Sequence, residues 1–285
     1  MTILENALHK LPSNLFIWNR HRTTDVYMLG YPKSGNTWIK FLLGRYLQLI
    51  CSSSEMVFFD GYDHFGRCQN ACVGPSIYHT HSPLEWTYQT AKDLTDHNTV
   101  KPFQSRKVVL IVRYPLDALV SSYFQAVLQT KEFSGELSQF LEHKVWGLEK
   151  WIRFYNLWAH HRQNVKDVLL LRYEDLRSDT EISFKHLLNF LLIDIKEQQM
   201  NEAIHYASFE NMKTLEKKGD IPRYRSSGLK VFATGDINNP ESYHVRKGKV
   251  GGYKDYLSLS EIEKYEARIA QELDPWYGYT HSLGK

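Results

Sequence analysis

The segment Gly30-Tyr31-Pro32-Lys33-Ser34-Gly35-Asn36-Thr37-Trp38 sets two glycines five apart around a lysine and runs directly into a helical pattern. Such a turn aligns free backbone N–H groups at a helix N-terminus, where peptide dipoles add, and forms a cradle for an anion. The glycine spacing matches a nucleotide-triphosphate loop, but the lysine does not. A triphosphatase places lysine directly after the second glycine, to reach the β and γ phosphates, with Ser or Thr next for Mg²⁺. Here Asn36 holds that place and Lys33 lies inside the loop, so the cation meets a shorter anion, one ending at its second group. A second loop reads Arg113-Tyr114-Pro115-Leu116-Asp117, with Ser121 and Ser122 following. An arginine ending a buried strand needs an anionic partner. That partner is Asp117 or a ligand phosphate, to which Ser121 would add a hydroxyl. Two anion-binding strand ends in one sheet point to a ligand with two separated phosphate-like groups.

The elements that must position these loops are legible as pattern. Val26–Leu29, Val108–Val112 and Val168–Leu171 are short apolar runs of the kind buried in parallel sheets. Each precedes a helical pattern: Thr37–Ile50, Leu116–Leu128 with Pro115 in its first turn, and Glu181–Leu192. Strand, short loop and helix in repetition predict an α/β fold, a central parallel sheet flanked by helices, with ligands at the C-terminal strand ends. A long amphipathic helix is expected over 138–162 and a last helix over Ser260–Leu273 with a serine cap. Residues 215–255, rich in Gly, Lys, Arg, Ser and Asn, read as a functional or mobile loop. Nothing marks a linker, so residues 1–285 are expected to form one domain.

Composition narrows the classes. With 42% apolar residues the 285-residue chain can bury a large core, and a net charge of +3 is too slight for a nucleic-acid binder. Aromatic residues, at 14%, would suit a pocket that stacks on planar rings, or simply a large core. Three cysteines, Cys51, Cys68 and Cys72, are too few for a disulfide framework and predict a reducing compartment. No signal-peptide core and no membrane-spanning apolar run is visible, so a cytoplasmic protein without membrane partners is expected.

Four segments together resemble the cytosolic-type sulfotransferases. Tyr31–Trp38 resembles the family's 5′-phosphosulfate loop, usually YPKSGTTW. Arg113 and Ser121 resemble its 3′-phosphate motif, Tyr173-Glu174-Asp175 its YED signature, and Val245–Lys254 its RKGxxGDWK element. The resemblance spans residues 31–254 and implies a sulfotransferase domain with a P-loop-like phosphosulfate-binding loop. It also implies the donor 3′-phosphoadenosine-5′-phosphosulfate (PAPS), the product adenosine 3′,5′-bisphosphate (PAP) and no metal. By position, Lys33, Ser34, Gly35, Asn36, Thr37 and Trp38 would hold the 5′-phosphosulfate, Trp38 also stacking on adenine. Arg113, Ser121, Arg246, Lys247 and Gly248 would hold the 3′-phosphate. Tyr173 would hydrogen-bond the base and Phe209 would cover its other face.

The resemblance also implies a catalytic base, the histidine of a Lys-Thr-His element, matched here by His79-Thr80-His81. His81 takes the base's place, since a neutral imidazole with a pKa near ~6.5 accepts a proton from an alcohol at neutral pH. His79 stands where the family has lysine and would supply less positive charge, leaving Lys33 to stabilise the leaving group. A rival reading of His64, Cys68, Cys72, His79 and His81 as a zinc site suffers from loose spacing and a Gly74-Pro75 turn. Gly252 and Tyr253 replace the family's Asp-Trp, and no short C-terminal dimer motif is evident, so a monomer or a differently built dimer is expected. The acceptor, a small molecule offering a hydroxyl or an amine or guanidine nitrogen, should meet Met56–Phe65, His79–Tyr88, Tyr123–Trp151 and the 215–245 segment. Two other readings remain open on the residues alone: a P-loop kinase of small metabolites, which Asn36 disfavours, and a nucleotide-binding module that has lost catalysis.

Overall fold

Strand β1 (Val26–Gly30) lies between β2 (Ile77–Thr80) and β3 (Lys107–Val112), and β4 (Asp167–Arg172) extends the sheet beyond β3 in the order β2-β1-β3-β4. Every neighbouring pair is parallel. The computed structural model describes residues 24–53, 74–81, 89–221, 236 and 238–279. Three strands fall where apolar runs predict them. β2 was missed because Ile77-Tyr78-His79-Thr80 contains no such run; as an edge strand it buries only alternate residues, Ile77 and His79.

Helices follow the strands: α1 (Asn36–Ile50), α2 (Asp96–Thr99), α3 (Pro115–Phe124), α4 (Leu137–Leu141), α5 (Leu148–His161), α6 (Tyr173–Ser178), α7 (Thr180–Phe190), α8 (Glu197–Tyr206), α9 (Phe209–Lys218) and α10 (Leu259–Glu272). The period-2 alternation of the strands divides the core in two. Val26, Met28, Val109, Ile111 and Leu171 face α1, α7 and α8, while Tyr27, Leu29, Val108, Leu110 and Val112 face α5 and α10. β1 and β3 are buried on both faces, which is why they read as unbroken apolar runs.

Four expectations are corrected. The helix over 138–162 is two helices, α4 and α5, because the chain turns at Gly147, where a Cβ would meet Leu141 O at 2.3 Å. The helix after Pro115 does not run regularly to Leu128; it widens at Gln125–Gln129 into a π-helix. The last helix is capped by Ser258, whose side chain and Glu261 form a reciprocal capping box, and not by Ser260. Cys51 is disulfide-bonded, so the cysteine count does not carry a reducing compartment; Cys68 and Cys72 lie outside the described residues. No helix among the described residues is long and apolar enough to cross a membrane.

Truncating Leu110, fully buried in the sheet, to alanine should cost about 3 kcal/mol through lost burial and a residual cavity. Leu259→Ser, at a position 80% exposed, should stay within about 0.5 kcal/mol, both read from urea unfolding midpoints.

Candidate active site

In-register parallel pairing decides where the chemistry gathers. Leu29 pairs with Thr80, Gly30 with Ile111 and Val112 with Arg172, so the four loops beginning at Tyr31, His81, Arg113 and Tyr173 leave one edge side by side. The chain passes from β2 on one side of β1 to β3 on the other, which opens a crevice at that edge.

The loop after β1 reaches α1 through two residues in the left-handed region, Lys33 (φ 66°) and Gly35 (φ 103°). At Gly35 the conformation and the surroundings both exclude a side chain: a Cβ would lie 2.7 Å from the Tyr173 ring. The first turn of α1 carries no acidic residue and no side-chain cap, so its N-terminal N–H groups keep their positive end for a ligand. Beneath the loop stands Tyr155 of α5. Its hydroxyl donates to Ile111 O (2.7 Å) and accepts from Tyr31 N–H (3.0 Å), and lies 3.3 Å from Ser34 Oγ. Ser34 is therefore buried against the strut, and its own N–H closes a turn onto Tyr31 O at 3.2 Å.

Asn36, in the place a triphosphate lysine would occupy, is committed inward. Its Nδ2 donates to Tyr31 O (3.0 Å), which leaves Oδ1 to accept from His79 Nε2–H at 3.2 Å. His79 is thus a buried neutral imidazole, its pKa held well below the usual value by burial, with Lys40 and His81 adding to the effect. It supports the loop instead of carrying charge.

His81 directs Nδ1–H at Gly30 O, 3.0 Å away, which fixes the tautomer with Nε2 as the basic nitrogen. Burial, helped by Lys40 and Lys33, lowers its pKa to about 4, so it stays an uncharged proton acceptor across neutral pH. The Lys33 ammonium is lowered to about 7 by burial first and then by Arg113, with Arg246 adding and Glu216 opposing. Arg113 spends its terminal nitrogens on backbone carbonyls, NH1 on Lys33 O (3.4 Å) and NH2 on Lys249 O (3.1 Å), and lies over the Tyr173 ring.

Asp117 is not Arg113's partner. Its two oxygens accept the N–H groups of Gly251 (2.7 Å) and Tyr253 (2.9 Å). A second buried carboxylate, Glu216 of α9, does the same upstream, accepting from His244 N–H (2.7 Å) and Val245 N–H (2.8 Å). Two carboxylates therefore clamp the irregular strap 244–253 across the strand ends. On that strap Arg246 pairs with Glu241 (2.8 Å) and with the Tyr256 hydroxyl, and Lys247 reaches Asp255 (3.2 Å). Gly248 (φ 58°) packs so closely on Phe209 that a Cβ would come within 2.5 Å of its ring.

These groups enclose a cavity of about 360 Å³. Lys33, Gly35, Asn36, Thr37, Trp38, His81, Arg113, Ser121, Tyr173, Phe209, Arg246, Lys247 and Gly248 all line it; Ser34 does not. Trp38 donates its indole N–H to Ala207 O (2.8 Å) and meets Tyr173 edge-on. The same cavity is also lined by Ala126, Thr130, Glu132, Val145, Trp146 and Lys150, within the expected acceptor segment Tyr123–Trp151. Met56–Phe65, residues 82–88, and His64, Cys68 and Cys72 of the zinc reading lie outside the described residues. Three buried polar atoms of the lining residues have no partner: Arg113 Nε, Arg246 Nε and Ser122 Oγ. Orphaned donors are costly unless a ligand acceptor completes them, and an anionic ligand fits that need.

Sequence reasoning missed Tyr155, Glu216 and His244. His244 adjoins the basic element, a visible signal; Tyr155 and Glu216 act from distant helices and leave none.

The profile described as a sulfotransferase domain matches residues 23–276. The chain belongs to this family. Among its sulfotransferase relatives, amine sulfotransferase of Oryctolagus cuniculus is 25% identical over 88% of this chain and 81% of its own. Cytosolic sulfotransferase 12 of Arabidopsis thaliana is 27% identical over 88% and 78%, and sulfotransferase 2A1 of Rattus norvegicus 28% over 87% and 84%. A mouse sulfotransferase complexed with PAP shares the fold with a TM-score of 0.59 at 18% identity, covering 88% of this chain and 84% of that one. Retinol dehydratase in complex with androsterone and PAP gives 0.58 at 18%, covering 88% and 82%.

If Asp117 clamps the strap of this sulfotransferase, Asp117→Ala should release the Gly251 and Tyr253 amides at a cost of about 2–4 kcal/mol, since hydrogen bonds to a buried charge are the strong ones. Hydrogen exchange at those amides should accelerate by about a hundredfold or more while β3 stays protected. Unchanged protection at both sites would remove the clamp.

Proposed function

We propose that this chain moves a sulfuryl group from PAPS to a hydroxyl, or to an amine or guanidine nitrogen, of a small-molecule acceptor. The observation that carries the reading is the juxtaposition of Lys33 and His81 at an anion cradle whose triphosphate-lysine position is filled by an inward-turned asparagine. When bound, PAPS supplies a sulfur already joined to a good leaving group, its phosphate. The loop N–H groups at the start of α1, with Thr37 and Lys33, would hold the 5′-phosphosulfate. Arg113, Ser121 and the strap residues Arg246, Lys247 and Gly248 would hold the 3′-phosphate, and Trp38, Tyr173 and Phe209 the adenine.

His81 Nε2 takes the proton as the acceptor atom bonds to sulfur, and Gly30 O keeps the imidazole in the required tautomer. Lys33 donates to the oxygen between phosphorus and sulfur as that S–O bond breaks. The chain's contribution is positioning and charge stabilisation at preorganised donors, as in phosphoryl transfer. The acceptor enters from the side of Val145 and Trp146, where the wall is apolar and aromatic, with Glu132 and Lys150 at its polar points.

Incubation with PAPS carrying labelled sulfur, or with γ-labelled ATP, and a panel of phenols, alcohols and amines tests the reading. Label should move from PAPS and not from ATP. Transfer from ATP alone would make the chain a kinase, and PAP binding without transfer a module that has lost catalysis. Lys33→Ala and His81→Ala should each lower kcat about 100-fold or more, His81→Ala with PAP affinity nearly intact. Arg113→Ala should instead weaken PAP binding by about tenfold or more, because it deletes a charge-assisted donor.

The lowered Lys33 pKa adds a pH signature. Lys33 titrates at about 7 without ligand, and a polyanion beside it raises that value, so at pH 8 nucleotide binding draws a proton onto the amine. Calorimetry of PAP binding at pH 8 in buffers of different ionisation enthalpy should reveal this uptake, and Lys33→Met should abolish it. Equal slopes for parent and variant would exclude Lys33 as the group.

A further inference from the structure

Among the described residues, His244 is the one histidine of the cavity wall that the reaction above leaves unused, and its position is specific. Its Nδ1 lies 3.4 Å from Lys33 Nζ and its Nε2 lies 3.1 Å from Thr37 Oγ1. Its backbone is seated by Glu216, so the ring is carried on the clamped part of the strap. We propose that His244 is a positioning residue for sulfuryl transfer, orienting the Lys33 amine and the Thr37 hydroxyl together; the role rests on the transfer reading above.

The proton inventory supports one arrangement. Lys33, when protonated, can only donate, so Nδ1 is the acceptor and the ring proton sits on Nε2. Nε2–H then donates to Thr37 Oγ1, which leaves the threonine hydroxyl proton free for a ligand oxygen at the start of α1. Lys33 is left with two further N–H bonds for the leaving group. One neutral ring thus aims two donors at the same anion, and their mutual angle is set by a rigid five-membered ring instead of a flexible four-carbon stem. The alternative role, that of a second general base, does not suit it. Both ring nitrogens of His244 have partners, whereas among the described residues His81 makes its hydrogen bond through Nδ1 alone. The neutral state fits this division of labour: burial, with Lys33, Lys40 and His81 around it, keeps the His244 pKa well below the usual value.

Amide substitutions separate positioning from packing. In His244→Asn the side-chain oxygen can stand near the place of Nδ1 and accept from Lys33. In His244→Gln the amide reaches toward Thr37 and the Lys33 acceptor is lost. PAP formation from PAPS is followed with whichever panel acceptor the parent sulfates, or with water alone where none is sulfated, and PAP affinity is measured by calorimetry. We expect His244→Ala and His244→Gln to lower kcat about 10- to 100-fold, the scale on which misplaced reacting groups cost rate. His244→Asn should return to within about threefold of the parent, with PAP affinity in all three changed by less than about threefold. A kcat for His244→Ala equal to or above the parent's overturns the role. So does an equal loss in all three variants, or a loss of PAP affinity that matches the loss of rate, since both describe packing. A parent that forms no PAP from PAPS, whether or not it binds PAP, overturns the transfer reading itself, an outcome distinct from an active parent with indifferent variants.

Discussion

Positive charge held away from water must be answered, and at this sheet edge the chain answers it only in part. Burial, with Arg113 and Arg246 adding to it, brings the Lys33 amine to about 7, and the terminal nitrogens of Arg113 rest on two backbone carbonyls, not on a carboxylate. The buried acids nearest this group are otherwise employed, Asp117 and Glu216 each accepting two strap N–H groups. The result is a cavity with orphaned guanidinium nitrogens and an uncapped helix N-terminus, an arrangement whose electrostatic cost is relieved by a bound anion. Preorganised donors of this sort are what transfer of a charged group requires, because they need not reorient as charge moves.

The same economy explains the histidines. Three imidazoles gather near Lys33 and all are held neutral, yet each has a different hydrogen-bond environment. His79 donates to Asn36 and so stiffens the loop; His81 donates to Gly30 O, which leaves Nε2 as its basic nitrogen; His244 lies between Lys33 and Thr37. The departure from the family's Lys-Thr-His pattern at position 79 therefore exchanges a cation for a strut. The positive charge felt at this position comes from the buried Lys40, which acts on both His79 and His81.

Legibility in the sequence varied with how local the cause was. The loop from Gly30 to Trp38 could be read directly, because glycine spacing and the strand-to-helix transition are neighbours in the chain. β1 and β3 were legible because burial on both faces leaves unbroken apolar runs, and β4, although an edge strand, was legible because Val168–Leu171 is itself an unbroken apolar run. β2 was not, since an edge strand buries only every second residue, and one of those is His79. The break between α4 and α5 escaped the amphipathic pattern because it depends on Gly147 closing against Leu141 and His143, a contact that periodicity does not encode.

What the amino-acid order determined alone is the kit: an anion loop lacking a triphosphate lysine, an arginine at a strand end, a basic strap, paired histidines and a parallel α/β scaffold to hold them. Those are properties of composition and spacing over a few residues. Only the folded chain decided the pairings. It assigned Asp117 to the strap instead of Arg113, turned Ser34 onto Tyr155 and Asn36 onto His79, and brought His244 from more than two hundred residues away to Lys33. Hydrogen-bond partners are selected by distance in space, and in a parallel sheet that distance is set by strand order and register, neither of which is written in any one segment.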